Sequence, residues 1–167
     1  MRRSFSILIL FIVTSAGFSQ ESKFKKLIPA KPIGWVSDFE KVFTDEQIKT
    51  LDSIIAKHEE ESGNEIAIVS LALDSVAIKS VNDFEQFTLT LFNQWGIGKK
   101  EKDNGVAIII SQKLKKIRIE VGYGLESTLT NAEAKTIIDN IIIPEFKRSN
   151  FFEGILKGLQ EIIKEIQ

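Results

Sequence analysis

Asp103 to Gly124, DNGVAIIISQKLKKIRIEVGYG, constrains the fold of this chain more than any other stretch. Val106–Ile110 is apolar throughout and predicts a strand buried on both faces. Ile117, Ile119 and Val121 alternate with Arg118 and Glu120, the period of a strand with one wetter face. Gln112–Lys116 is the polar link. Antiparallel pairing through so short a link closes a hairpin and brings its open ends together. Asp103-Asn104-Gly105 is then expected beside Glu120-Val121-Gly122-Tyr123-Gly124. Carboxylates, an amide and glycines would meet there at one edge of a sheet.

The flanking segments predict what covers this hairpin. Thr44 and Gln47 have capping-box spacing, and Ile48, Leu51, Ile54, Ile55 and His58 follow at helical intervals up to Gly63. Glu65–Leu71 reads as a buried strand. Ser80 caps a second helix whose stripe is Val81, Phe84, Phe87, Leu91, Phe92 and Trp95, ending at Gly96. Thr130 and Glu133 form another capping box, ahead of a helix that Pro144 should end or bend. Asn150 caps the last helix, with Glu153 at the capping-box position. Helices alternating with strands predict a three-layer α/β/α sandwich around a small mixed, mainly parallel sheet with one antiparallel hairpin. The strand at 65–71 should run parallel to 106–110, and 117–121 antiparallel to it.

The N-terminus has a separate character. Met1-Arg2-Arg3 is a basic start, Phe5–Val13 an apolar run, and Thr14–Gln20 contains small residues. This is the layout of a secretory signal peptide, expected over residues 1–19 with cleavage after Ser19, or after Gln20. The apolar run is too short for a membrane span, which needs about 20 residues. Residues 20–34, with Pro29 and Pro32, read as an extended lead-in to a domain over 35–167. The expected product is an exported protein, periplasmic or secreted, with no transmembrane segment. A net charge of −1 gives no case for a nucleic-acid partner. With no cysteine, lipobox anchoring, disulfides, thiol catalysis and Cys-based zinc sites are excluded.

Asp103, Asn104 and Glu120, with Glu126 and Asn131 nearby in sequence, are oxygen donors of the kind that Ca²⁺ and Mg²⁺ prefer. Asp-Asn-Gly is also a common turn before a strand, and no full calcium-loop spacing is present. By themselves the residues favour the turn. Gly122-Tyr123-Gly124 lacks both the GxxxxGKS/T and the complete GxGxxG patterns, so a phosphate cradle is weakly supported. The mixed-sign run Lys99–Lys102 reads as a solvated loop. His58 is the only histidine and sits in a helical stripe, which suits packing better than catalysis and leaves no Ser-His-Asp triad.

Trp95-Gly96-Ile97-Gly98, Asp103-Asn104-Gly105-Val106, Arg118–Glu126 with Leu129-Thr130, Pro144-Glu145-Phe146, and Gly154 with Gly158 together resemble the TPM domain. Ser37-Asp38 before the first helix resembles its opening, and the resemblance runs from about Trp35 to Ile166. It implies an α/β sandwich, divalent-cation binding, acid-phosphatase activity in some plant members, and a role in maintaining membrane complexes. It adds Asp38 to the candidate metal ligands and raises the hairpin ends from a turn to a cation site. Where the family has Asp after Leu-Thr, this chain has Asn131. Where the family has Gly-Asp before the last aromatic, it has Ser149-Asn150. Each exchange removes a negative charge. An Asn carbonyl still suits a metal but cannot serve as a general base, so binding is favoured over phosphatase chemistry, with a purely structural interaction domain as the third reading. An unidentified protein partner at a membrane or envelope complex is implied as well.

Overall fold

The computed structural model describes residues 24–167, so the expected signal peptide at 1–19 lies outside the described residues. The sheet has four strands in the order β1 (Val36–Asp38), β2 (Glu65–Ser70), β3 (Gly105–Ser111) and β4 (Lys116–Val121). The first three run parallel, and β4 returns antiparallel to β3. Glu65 faces Gly105 and Val106 faces Val121 at one end of the sheet. Ser70 faces both Asp38 and Ile110 at the other end. The hairpin therefore forms as its alternation requires.

Helix α1 (Asp45–Ser62) starts at Thr44, whose hydroxyl accepts from the Gln47 amide while the Gln47 side chain accepts from the Thr44 amide. It stops at Gly63, which takes the left-handed conformation at φ 76° that a side chain would disfavour. Helix α2 (Val81–Trp95) starts at a Ser80–Asp83 capping box and ends at Gly96. Helix α3 (Asn131–Ile137) starts at the Thr130–Glu133 box.

Past Ile137 the expected break takes a particular form. Ile138–Ile142 forms a π-helical turn, and α4 (Ile143–Lys147) continues from it with Pro144 in its first turn. Pro144 lacks an N–H and its ring would press on the carbonyl four residues back; a wider turn relieves that contact. Helix α5 (Phe151–Glu165) closes the fold. Asn150 precedes it but makes no side-chain cap, contrary to the spacing-based expectation. Its amide instead donates to Glu145 Oε2 at 3.2 Å.

Helices cover both faces. On one, Val106, Ile108, Ile110 and Ile119 meet Leu51 and Ile55 of α1 and Ile155, Leu159 and Ile162 of α5. On the other, Val69, Ala107 and Ile109 meet Phe84, Phe87 and Leu91 of α2. Each large apolar side chain buried this way contributes about 1.5–3 kcal/mol. Part of the lead-in belongs to this second core: Phe24 and Ile28 are buried, and the Phe24 ring meets Phe87 edge-on at 6.1 Å. His58 is buried in α1, with Nε2 3.1 Å from Ser62 Oγ. Burial lowers its pKa, against the opposing pull of Glu61.

The α4–α5 corner is tied by Glu145, a buried carboxylate 2.7 Å from Lys157 Nζ and 3.6 Å from Arg148. Its bonds from Lys157 and Asn150 hold its pKa below the ordinary glutamate value. A lowered carboxyl pKa contributes stability above the unfolded-state pKa, and that stability is lost as pH falls through the folded value. Glu145→Gln is therefore expected to melt at a lower temperature than the parent at neutral pH. The gap should close in acid, where the parent carboxyl is itself protonated. Paired thermal melts across that range check this.

Candidate functional site

The end of the sheet at Glu65, Gly105 and Val121 is built from backbone lying on backbone. The chain passes it three times, at Ile97-Gly98, at Lys102–Gly105 and at Gly122–Gly124. A Cβ on Gly105 would stand 2.3 Å from the Ile97 carbonyl oxygen. One on Gly122 would stand 2.1 Å from the Asp103 oxygen, and one on Gly124 1.9 Å from the Lys102 oxygen. Gly98 combines φ 105° with a contact to the Gly105 backbone. Each position admits hydrogen and nothing larger. The seam is stitched by Gly122 N–H donating to Gly105 O at 2.8 Å and Gly124 N–H to Asp103 O at 3.0 Å.

Asp103 occupies the left-handed region at φ 47°, which Asp and Asn tolerate better than most residues. Its backbone is held on both sides, by its N–H to Lys99 O and by Gly124 at its carbonyl, while the residue as a whole is exposed. Beside the seam lies a cleft of about 700 Å³ whose lining includes Asp103, Glu120, Glu126 and Asn131. Four of the six residues singled out by sequence thus line one cleft. They arrive from the lead into β3, the end of β4, the turn after it and the start of α3.

The other two do not join them. Asn104 is buried with its amide fully used: Oδ1 accepts from the Lys99 N–H, and Nδ2 donates to Gly63 O and Asn64 Oδ1. It locks the seam to the end of α1. Asp38 pairs with Ser70 in register, at the opposite end of the sheet. It accepts from the amides of Val42 and Phe43 and from the Ser70 hydroxyl, closing the turn that leads into α1. The Asp in the family-like opening therefore does local structural work, far from the cleft.

Glu120 is nearly buried, and its Oε1 accepts from Thr88 Oγ1 at 2.6 Å and from Arg118 Nε at 3.3 Å. Arg118 reaches on to Glu85 at 2.9 Å. Burial raises the Glu120 pKa, against the opposing pull of Thr88 and Arg118. Thr88 and the cationic members of the cleft, Arg118 and Lys100, were not chosen from sequence. Thr88 carried a legible signal: it stands four residues after Phe84, inside the buried stripe of α2. Among the described residues, no three His, Cys, Asp or Glu side chains gather as metal ligands. A cation here would draw on Asp103 and Glu126, the Asn131 carbonyl, and water.

Gly105→Ala and Gly122→Ala are each expected to lose about 2 kcal/mol or more, since the clashing partner is rigid backbone. Gly34→Ala, whose Cβ would meet nothing closer than 4.0 Å, should stay within about 0.5 kcal/mol of the parent. Urea unfolding of the three variants checks this. For Glu120 the sign is opposite to that of Glu145. A raised carboxyl pKa gives stability that is full below the unfolded value and lost as pH rises through the folded one. Relative to the parent, Glu120→Gln should therefore gain stability as pH rises from acid to neutral, measured by the same unfolding at several pH values.

The comparisons agree with this architecture. The N-terminal domain of a protein from P. gingivalis superimposes with a TM-score of 0.70 at 24% identity, over 87% of each chain. The N-terminal domain of the cg2496 protein from Corynebacterium glutamicum gives 0.59 at 14% identity, over 81% of each chain. The BA42 protein from the psychrophilic bacterium Bizionia argentinensis gives 0.54 at 22% identity, over 77% of this chain and 83% of its own. At these identities the likeness is one of fold. No curated protein matches the sequence. The TPM domain family model matches residues 36–165, from β1 to the end of α5, and the chain belongs to the TPM domain family.

Proposed function

We propose that this TPM domain is a divalent-cation-binding module, taking Ca²⁺ or Mg²⁺ in the cleft beside the glycine seam. The observation that carries the reading is the convergence of Asp103, Glu126 and Asn131 on one cleft from three separate segments. Asp103 and Glu126 offer exposed carboxylates and Asn131 an amide oxygen, all hard donors. Glu120 lines the same cleft and is buried. Its Oε1 is engaged by Thr88 and Arg118, so it sets the local charge and anchors the end of β4 rather than leading the coordination. So few carboxylates, with water completing the shell, fit a weak site of about 10⁻⁴–10⁻³ M, the range of extracellular calcium modules.

That range suits the compartment the N-terminus implies. Arg2-Arg3 followed by Phe5–Val13 supports export with cleavage after Ser19, to the periplasm or outside the cell. Among the described residues no helix is long and apolar enough to cross a membrane. The module would act beside an envelope or membrane complex, through a partner whose contact depends on the bound ion.

A second reading rests on Lys100 and Arg118, which place cations in the same cleft. They favour an anion such as a phosphomonoester, held against a metal that would polarise its phosphoryl oxygen. Asn131 cannot act as a base there. The binding reading requires less of these residues.

Calorimetric titration of the parent with Ca²⁺ and Mg²⁺ should give saturable binding. Asp103→Asn and Glu126→Gln should each weaken it by about tenfold, and Asp38→Asn should leave it unchanged. Absence of heat at millimolar cation in the parent, or equal affinity in all four proteins, would sink the reading. A phosphomonoester assay with Mg²⁺ separates the second: equal rates in the parent and Asp103→Asn would exclude catalysis at this cleft.

A further inference from the structure

The far end of the sheet holds a groove with a different chemistry. It lies between the β3–β4 turn and the α4–α5 corner and measures about 660 Å³, within the range of about 300–1,000 Å³ usual for small-molecule sites. Its walls are apolar: Ile110, Ile117 and Ile143, with Phe146 and Phe151. The two phenylalanine rings sit 4.9 Å apart and tilted, forming one aromatic wall.

The charge on this lining has one sign. Lys115 and Lys147 flank the groove, and among the described residues no Asp or Glu lines it. Lys116 also contributes to the lining, but its ammonium lies 5.9 Å from the centre of the Phe84 ring, on the α2 side of the sheet. Among the described residues neither Lys115 nor Lys147 forms a salt bridge, and both are exposed. The nearest buried acid, Glu145, is already neutralised by Lys157 and Arg148. The Glu40 carboxylate accepts from the Gln112 and Lys113 amides at 2.7 and 3.0 Å, so the backbone of the turn takes up its charge, and among the described residues the charged side chains lining the groove are lysines.

Its geometry is fixed by local backbone. Lys115 takes φ 52° in the tight turn, and Ser149 takes φ 64° between α4 and α5. Ser149 N–H donates to Phe146 O and Asn150 N–H to Glu145 O, which hold Phe146 and Phe151 on the same side of the corner.

We propose that this groove binds a single-chain amphiphilic carboxylate of the fatty-acid class, with the hydrocarbon between the Ile117–Ile143 wall and the phenylalanine pair. The carboxylate would sit between Lys115 and Lys147. Charge complementarity selects the head, and the apolar lining selects the tail. The site is separate from the cleft, at the other end of the strands, so it stands whether or not a cation binds there.

The test is an amide NMR titration of the protein with octanoate, decanoate and dodecanoate below their micelle concentrations. Expected are saturable shifts within 111–117 and 143–151, with affinity rising about threefold to fourfold per methylene. Lys115→Glu/Lys147→Glu should weaken dodecanoate by about tenfold or more, and Lys147→Gln, at an exposed helix end, covers the case where the double variant fails to fold. Flat titrations, affinity independent of chain length, or equal binding by neutral dodecyl maltoside would overturn the proposal. So would unchanged affinity in the variants. Concentration-dependent shifts at the same amides without ligand would assign the groove to a second copy of the chain. Binding to phosphatidylglycerol vesicles with no response to monomeric dodecanoate would assign it to a membrane surface. Either result would replace the fatty-acid reading.

Discussion

Three passes of backbone at one end of the sheet touch with no side chain between them. Gly98, Gly105, Gly122 and Gly124 make this contact possible, because a Cβ at any of them would meet a carbonyl or amide within 2.6 Å. Much of the domain depends on it. The contact joins the open ends of the hairpin and sets where the turn after β4 leaves the sheet. Through Asn104 it also binds this end to the last turn of α1. The cleft is a by-product of this packing. Its donors are held by segments whose positions the seam dictates.

The energetic logic differs between the two ends of the strands. At the seam, polar backbone is satisfied by backbone and by the Glu65 and Asn104 side chains, and Asp103 and Glu126 remain exposed beside a buried carboxylate. The buried member, Glu120, is costly in charged form, and Thr88 and Arg118 offset part of that cost. At the far end, the α4–α5 corner concentrates apolar side chains and lysines instead. The lining of the cleft includes carboxylates as well as cations, whereas the charged side chains lining the groove are lysines.

Much of this was legible in the sequence. The run of isoleucines at 108–110 suits a doubly buried strand, and the alternation at 117–121 suits one with a wetter face, although Glu120 on that face proves buried against Thr88. The boxes at Thr44 and Thr130 marked helix starts by local bonding alone. What escaped depended on contacts distant in sequence. Asn104 and Asp103 are adjacent and chemically alike as oxygen donors, yet one faces inward to Asn64 and the other outward. No local rule separates them. Asp38 carries the same chemistry as Asp103, and only its pairing with Ser70 consigns it to a turn. Asn150 has ideal capping chemistry, but Glu145, fixed by the π-helical turn and Lys157, takes its side chain instead. The glycines were visible as turn formers; their role in close backbone approach required the fold.

The proposed hard-cation site lies beside the seam, at this end of the sheet. Paramagnetic broadening of backbone amides by substoichiometric Mn²⁺, displaced by excess Mg²⁺ or Ca²⁺, tests it most directly. Broadening is expected to centre on residues 98, 103–105 and 120–131, with the amides of the 111–116 turn unaffected. No broadening, or broadening spread over exposed acids such as Glu60 and Glu61 of α1, would contradict it.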